Sequence, residues 1–329
     1  MEIPVNATTP QLSTFQVFKA LSSIRSTATG PDGIPFWVWT EYADILTPPV
    51  EDVWNLSLST QQWLRLWKEA NVNPLPKVDF PVNSEDFRGI SLIPVIARAF
   101  ERVVYNIFNK TDIESRLCPN QFAYRAGGSC TNAFIKMQHE ILSALDNPRN
   151  KAVRVFTMDF SKAFVNHHLL AEKLKRSPLC PQMVNWYISL LSDRKQRLVY
   201  NGTVCDWMMV NKGTTQGSVS GPHLFNLVLD DLDIDSNLGD VSMVKYADDS
   251  TILVTLNEGS DNSERALTQF MDWTNNNRMK CNTAKCKELV IRKKSNNSIY
   301  LIRFNIKQFD HITLLGVTFQ SNCKFSEHC

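Results

Sequence analysis

Three carboxylates carry the chemistry this sequence offers, and two of them are adjacent. Asp248 and Asp249 close the tetrapeptide Tyr246-Ala247-Asp248-Asp249, flanked by residues 241–245 on one side and 250–256 on the other. Both flanks are rich in β-branched residues that suit a pleated surface, so the segment reads as a hairpin with an acidic tip. Neighbouring carboxylates repel, and a turn that presents two of them needs full solvation or a bound cation. Alone, the pair is equally a solvated turn, because Asp suits turns in any β protein. A third acid changes the balance. Asp159 ends the apolar run 152–158, which looks like a buried strand, and an acid in that place is costly unless paired or metal-bound. With the two strands side by side, Asp159 and Asp248 can share two Mg²⁺ ions about 3.5–4 Å apart, an arrangement that activates a 3′-hydroxyl and stabilises a leaving phosphate in nucleotidyl transfer. Hard oxygen donors select Mg²⁺ or Mn²⁺ over softer metals.

The surrounding residues narrow this chemistry. Phe160-Ser161-Lys162-Ala163-Phe164 follows Asp159, Gln216-Gly217-Ser218 stands ahead of Gly221-Pro222, and the Asp-Asp tetrapeptide comes last. That is the order of motifs A, B and C of reverse transcriptases. Around them the chain resembles the non-LTR (LINE-type) retrotransposon family. The resemblance is carried by Ala28-Thr29-Gly30-Pro31-Asp32-Gly33-Ile34-Pro35, Pro74-Leu75-Pro76-Lys77, Asp86-Phe87-Arg88-Gly89-Ile90-Ser91-Leu92 and Asn120-Gln121-Phe122-Ala123-Tyr124-Arg125. Leu314-Leu315-Gly316-Val317 resembles the primer-grip motif, so the likeness covers roughly residues 27 to 329.

The resemblance implies an α+β fold of right-hand type. An N-terminal extension (1–26) would precede fingers over 27–155, and a palm over 156–329 would be a mostly antiparallel sheet backed by helices, with the thumb largely absent. The implied activity is RNA-directed DNA polymerisation, with RNA template, DNA primer and dNTPs as partners. Asp159 and Asp248 would hold both metal ions with the Phe160 carbonyl as a further ligand, and Asp249 would support them. Lys285 matches the family lysine near the leaving pyrophosphate, as a general acid or a fixed cation; a plain surface lysine is the alternative. Lys77, Arg88 and Arg125 are expected in loops. The Lys77 and Arg88 blocks belong to the family's fingers, where cations meet the triphosphate, against the alternative of ordinary solvated side chains. Phe164 would select deoxyribonucleotides by its clash with a 2′-hydroxyl, or else simply close the strand. Gln216 and Gly217 would sit on a turn before a helix and let the backbone approach the template base pair.

Three departures from the family pattern matter. Gly89 stands where Pro follows the Arg in most relatives, which suggests a more flexible loop, and Thr215 also replaces a common Pro. Relatives commonly read Phe-Asp-Thr-Val-Asn-His-His after motif A, whereas this chain reads Phe164-Val165-Asn166-His167-His168, two residues shorter. Two residues are about 200° of helix rotation. Either the following helix, Asn166 to about Lys175, keeps Leu169, Leu170 and Leu174 inward, or its start unwinds; Asn166 can serve as the cap. A catalytically decayed RNA-binding remnant of a retroelement is therefore a rival reading. An RNA-templated RNA polymerase is another, disfavoured by Phe164. A longer parent protein carrying endonuclease and thumb regions is also expected.

Composition sets outer bounds. A chain of 329 residues with 43% hydrophobic content buries a sizeable core in two or three lobes, and a net charge of +2 leaves room only for a local phosphate-tracking groove. The densest basic stretch runs from Lys280 to Lys294, which is also the pattern of a solvated face. No apolar stretch spans a bilayer and no signal segment opens the chain, so no membrane association and an intracellular location, nuclear or cytoplasmic, are expected. The 8 cysteines then act as apolar fillers. Two spacings, Cys281 with Cys286 and Cys323 with His328 and Cys329, tempt a zinc reading but lack the four-ligand pattern. Helical periodicity over 41–70 indicates two helices interrupted at Pro48-Pro49, with Ile45, Leu56, Trp54, Trp63 and Trp67 among the apolar positions. The stretches 93–108 and 134–145 repeat the pattern, and their aromatics are assigned to core packing rather than base stacking.

Overall fold

The computed structural model describes residues 1–2, 7–160, 165–214, 217–234, 239–293 and 303–323. The helices are α1 (Thr14–Ser22), α2 (Phe36–Glu41), α3 (Ala43–Thr60), α4 (Val95–Val104), α5 (Lys110–Arg116), α6 (Cys130–Asp146), α7 (His167–Arg176), α8 (Pro181–Leu191), α9 (Ser220–Leu229) and α10 (Ser263–Asn276). The strands are β1 (Glu69–Pro76), β2 (Phe87–Leu92), β3 (Asn150–Met158), β4 (Arg194–Tyr200), β5 (Thr203–Val204), β6 (Met208–Val210), β7 (Val241–Tyr246), β8 (Asp249–Asn257), β9 (Lys287–Arg292), β10 (Lys307–Phe309), β11 (His311–Leu314) and β12 (Val317–Gln320). This is a mixed α/β chain. It divides into two compact units that interleave in sequence, one from 1–116 and 165–227, the other from 117–164 and 228–329.

In the first unit, β1 pairs antiparallel with β2 and parallel with β4, and β4 also pairs β5 and β6. Its core is aromatic. Trp54 of α3 stacks on Phe100 of α4 at 5.0 Å, and Trp63 lies 4.8 Å from Trp186 of α8. These rings and Trp67 are buried, so in this unit the aromatics pack against one another as expected. Helix α3 corrects the expected break, because it runs unbroken through Pro48 and Pro49. Each proline forfeits one backbone bond, but both lie on the exposed side of the helix. The opposite side buries Thr47, Val50, Trp54 and Leu58, and the Thr47 hydroxyl donates to the Ala43 carbonyl at 2.5 Å. Burial of that stripe outweighs the local preference against proline. Ile45 and Leu56, read as part of the apolar face, are exposed.

Arg88 and Gly89 also differ from the loop placement expected of them. Both belong to β2, where Arg88 pairs with Leu75 and Gly89 with Pro74, so Gly89 lies in a paired strand rather than a flexible loop. A Cβ on Gly89 would come within 2.9 Å of the Val72 side chain, which is a packing reason for glycine there. Lys77 does lie in the connecting loop. Its Nζ donates to the Glu85 carbonyl at 2.8 Å, closing the β1–β2 connection.

The helix after the shortened stretch is intact. Asn166 caps α7 with its side chain accepting from the His168 amide, while Leu170 and Leu174 are buried and Leu169 is half-buried. The segment is held from the side by Gly213, whose N–H donates to the Val165 carbonyl at 2.7 Å and whose carbonyl lies 2.8 Å from His167 Nε2.

In the second unit a five-stranded sheet has the order β10-β9-β3-β8-β7, antiparallel except for the β10–β9 pair. Helix α6 covers one face through Ala133, Met137 and Ile141, packed with Val153, Val155, Leu253 and Leu289. The β11–β12 hairpin adds Ile312, Leu314 and Phe319 to that core, turning through Leu315 and Gly316, both with positive φ. A buried ion pair crosses the sheet. Arg154 Nε bonds Glu288 and Arg154 Nη1 donates to Asp261 at 2.8 Å. Among the described residues no helix is long and apolar enough to cross a membrane.

Candidate active site

Non-local pairing in the second unit brings the acids together. Strand β3 lies between β8 and β9, and its last pair is Met158 with Ser250. Asp159 therefore leaves β3 beside Asp249, the first residue of β8. The β7–β8 hairpin closes on the pair Tyr246–Asp249, leaving Ala247 and Asp248 as a two-residue turn. Ala247 has φ +53°, the left-handed backbone that the tight primed turns demand of their first central residue. Asp248 and Asp249 are exposed, and Asp159 is partly buried.

The backbone of Asp159 is tied to the turn that precedes β9. Its carbonyl accepts from the Asn282 amide at 2.8 Å, and its own N–H points to Cys286 Sγ at 3.4 Å. Lys285 and Cys286 both donate their amides to the Asn282 carbonyl, at 2.9 and 3.1 Å, so residues 282–286 form one tight turn. That turn sets Lys285 near Asp159. Phe160 bridges Cys281, and its ring packs 5.6 Å from Phe270 of α10.

The electrostatics match this crowding. Burial lifts the Asp159 carboxyl above its ordinary value; the Lys285 ammonium and the Asn282 side chain pull it down, and Asp248 pushes it up. Asp249, exposed as a residue but with its carboxyl partly enclosed, is raised first by that enclosure and then by Asp248 and Asp159. Asp159 and Asp249 thus feel the charge of neighbouring acids. Among the described residues no three Asp, Glu, His or Cys side chains converge as a single metal cluster. A pair of carboxylates still fits Mg²⁺, which keeps several waters and takes one or two carboxylates plus substrate phosphates.

Lys77, Arg88 and Gly217 belong to the first unit, while Phe164 and Gln216 lie outside the described residues. Gly217 has φ +107°, and a Cβ there would stand 2.6 Å from the Ser91 carbonyl oxygen, so glycine is required for contact with β2. Arg125 is engaged structurally. It donates to the Cys118 and Gln121 carbonyls at 3.1 and 3.3 Å.

Two residues near the acids escaped sequence reasoning. Asn282 bonds Asp159 through both backbone and side chain. Lys245, next to Tyr246, is buried and donates to the Leu229 and Leu232 carbonyls at 2.8 and 2.7 Å, and burial pushes its pKa down. A lysine inside an otherwise apolar strand was the available signal for the second; the first is a turn asparagine like any other.

Comparison with known proteins gives the family of the chain. The chain is 24% identical to the "RNA-directed DNA polymerase from mobile element jockey" of Drosophila melanogaster, over 84% of this chain and 31% of the relative. It is 27% identical to the "Probable RNA-directed DNA polymerase from transposon BS" of the same species, over 84% of this chain and 32% of the relative. To the "Retrovirus-related Pol polyprotein from type-1 retrotransposable element R2" of Nasonia vitripennis it is 25% identical, over 73% and 24%. The chain spans about a quarter to a third of the length of these curated relatives. Residues 75–319 match the family described as "Reverse transcriptase (RNA-dependent DNA polymerase)", the expected likeness to retrotransposon enzymes holds, and the chain belongs to the reverse transcriptase family.

Proposed function

We propose that this chain is the core of an RNA-directed DNA polymerase from a non-LTR retrotransposon, adding dNTPs to a primer 3′-hydroxyl on an RNA template inside the cell. The observation that carries this reading is the placement of Asp159 at the exit of β3, beside the turn that bears Asp248 and Asp249. In this reading the architecture is a right hand, with fingers over 27–155 and a palm over 156–329.

Asp159, Asp248 and the Phe160 carbonyl would hold Mg²⁺, or Mn²⁺ in its place. When bound, the metal pair supplies charge stabilisation for the attacking and leaving oxygens. The chain's own residues do the rest. Asp249 adds negative charge beside the pair, and the 282–286 turn fixes the direction of Asp159. Lys285, already near Asp159, offers a cation and a proton to a departing phosphate oxygen. Lys77 and Arg88 would meet the triphosphate, Phe164 would exclude the 2′-hydroxyl, and Gln216 with Gly217 would support the template base pair.

The test is primer extension on an RNA template. Asp159→Asn should abolish dNTP incorporation while leaving the circular dichroism spectrum unchanged, and incorporation equal to the unmodified chain would overturn the assignment. The missing pair before Val165 favours a second reading, RNA binding without polymerisation. That reading is supported if the chain retains RNA on a filter, extends no primer, and gains extension when Asp-Thr is inserted ahead of Val165.

A further inference from the structure

Beside the acidic turn lies a segment that carried part of the family likeness but was given no chemical role. Residues 120–122 run parallel to β7: the Lys245 amide donates to the Asn120 carbonyl at 2.8 Å, and the Phe122 amide donates to the Lys245 carbonyl at 2.9 Å. Gln121, between them, is 2% exposed. Its Oε1 accepts from the Ala123 amide at 3.0 Å and from the Ala247 amide at 3.1 Å. Two backbone donors face that one atom, so it must be the oxygen of the carboxamide. The Nε2 end is buried and has no hydrogen-bond partner among the described residues. The side chain is therefore held in place for its acceptor.

Ala247 is where that acceptor is needed. It stands outside the strand ladder, whose last pair is Tyr246 with Asp249, and its φ is +53° although it carries a Cβ. Glycine usually occupies such a position because a side chain is strained there. The amide aimed at Gln121 stabilises that backbone, and Asp248 is the next residue. Arg125 braces the support by gripping the Cys118 and Gln121 carbonyls. Lys245 anchors the strand from the other side through Leu229 and Leu232.

We infer that Gln121 is a positioning residue, whose side-chain oxygen holds Ala247 in its left-handed turn and so sets the direction in which Asp248 presents its carboxylate. This rests on the polymerase reading for its consequence in catalysis, but the geometric part stands without it. Gln121 touches neither the acids nor any proposed substrate contact. Its loss should lower turnover and leave nucleotide affinity alone, since a displacement near 1 Å at a reacting group costs about a hundredfold in rate.

The experiment compares the 329-residue chain with Gln121→Met, which keeps the length and removes the acceptor, and Gln121→Glu, which keeps it. Hydrogen–deuterium exchange at the Ala247 amide, read by mass spectrometry with residue-level fragmentation, should speed up about tenfold or more in the Met variant and return to the original rate in the Glu variant. In primer extension, Gln121→Met should lower kcat by about 10- to 100-fold with KM for dNTP within about twofold, and Gln121→Glu should recover most of the loss. If the Met variant does not fold, Gln121→Asn, too short to reach Ala247, replaces it. Unchanged exchange at Ala247 overturns the inference whatever the activity does. A kcat unchanged beside faster exchange overturns its catalytic consequence, and an unmodified chain that extends no primer counts against the polymerase reading while the exchange arm still decides the role of Gln121.

Discussion

Asn282 holds Asp159 twice, its amide donating to the Asp159 carbonyl at 2.8 Å and its side chain bonding the carboxyl. The residues are 123 apart in sequence and meet because β9 pairs with β3, which puts the turn ahead of β9 against the end of β3. The side-chain bond favours the charged carboxylate against the burial that disfavours it.

Replacing Asn282 with Ala should therefore raise the Asp159 pKa further, moving the acidic limb of the kcat/KM profile for primer extension to higher pH. Stability should fall by about 1 kcal/mol, the usual net worth of one hydrogen bond. A profile superimposable on that of the unmodified chain would show that Asn282 does not influence the acid.

In the proposed reading, metal and pH act on the same groups. Asp159 and Asp249 have folded pKa values raised above the ordinary 3.8, so they hold protons more tightly in the folded chain than in the unfolded one. Their stabilising contribution is complete below the unfolded value and is lost as pH rises through the raised folded values. Mg²⁺ opposes that loss only once the carboxylates are charged. At about ten times its Kd, Mg²⁺ should add about 1.4 kcal/mol near neutral pH and almost nothing near pH 4, checked by chemical denaturation at both pH values. Asp248→Asn should remove most of the Mg²⁺ effect.

The pair Arg154–Glu288 is fully buried on both sides. Glu288→Ala removes the fully buried partner of an arginine inside the sheet, leaves it facing the partly exposed Asp261, and should cost about 3–5 kcal/mol in urea unfolding. The double change Arg154→Met with Glu288→Leu removes both charges together and should cost less than the single one, because no unpaired charge remains. A double variant less stable than Glu288→Ala would count against this account.

Gly217 should tolerate no side chain. A Cβ would lie 2.6 Å from the Ser91 carbonyl oxygen, at a backbone φ of +107°. Gly217→Ala should lower the unfolding free energy by about 1–3 kcal/mol through strain alone, measured by denaturant titration. Unchanged stability would mean the backbone moves away from β2.

Much of this site was legible in residue order. Alternating apolar and β-branched residues around Tyr246-Ala247-Asp248-Asp249 specify a hairpin through local preference, and the structure has β7 and β8 with a two-residue turn. Asn166 followed by the 167–176 pattern specifies a capped helix, which forms despite the shortened approach to it. The aromatic positions Trp54 of α3 and Phe100 of α4 pack inward because large rings have few other places to go.

Other features depend on contacts between distant segments. The assignment of Pro48-Pro49 as a break followed the local rule, but the buried stripe of Thr47, Val50 and Trp54 carries α3 straight through. Arg88 and Gly89 read as loop residues until β1 pairs with them. Nothing near Gln121 or Asn282 in the sequence marks either as a support for an acid, since each acts on a residue more than a hundred positions away. Sequence by itself determined which residues could bear charge and where the chain would turn, because those are properties of neighbours along the backbone. Only the tertiary structure decided which acids meet and what holds them, because strand order and burial are settled by packing between segments that local propensity does not relate.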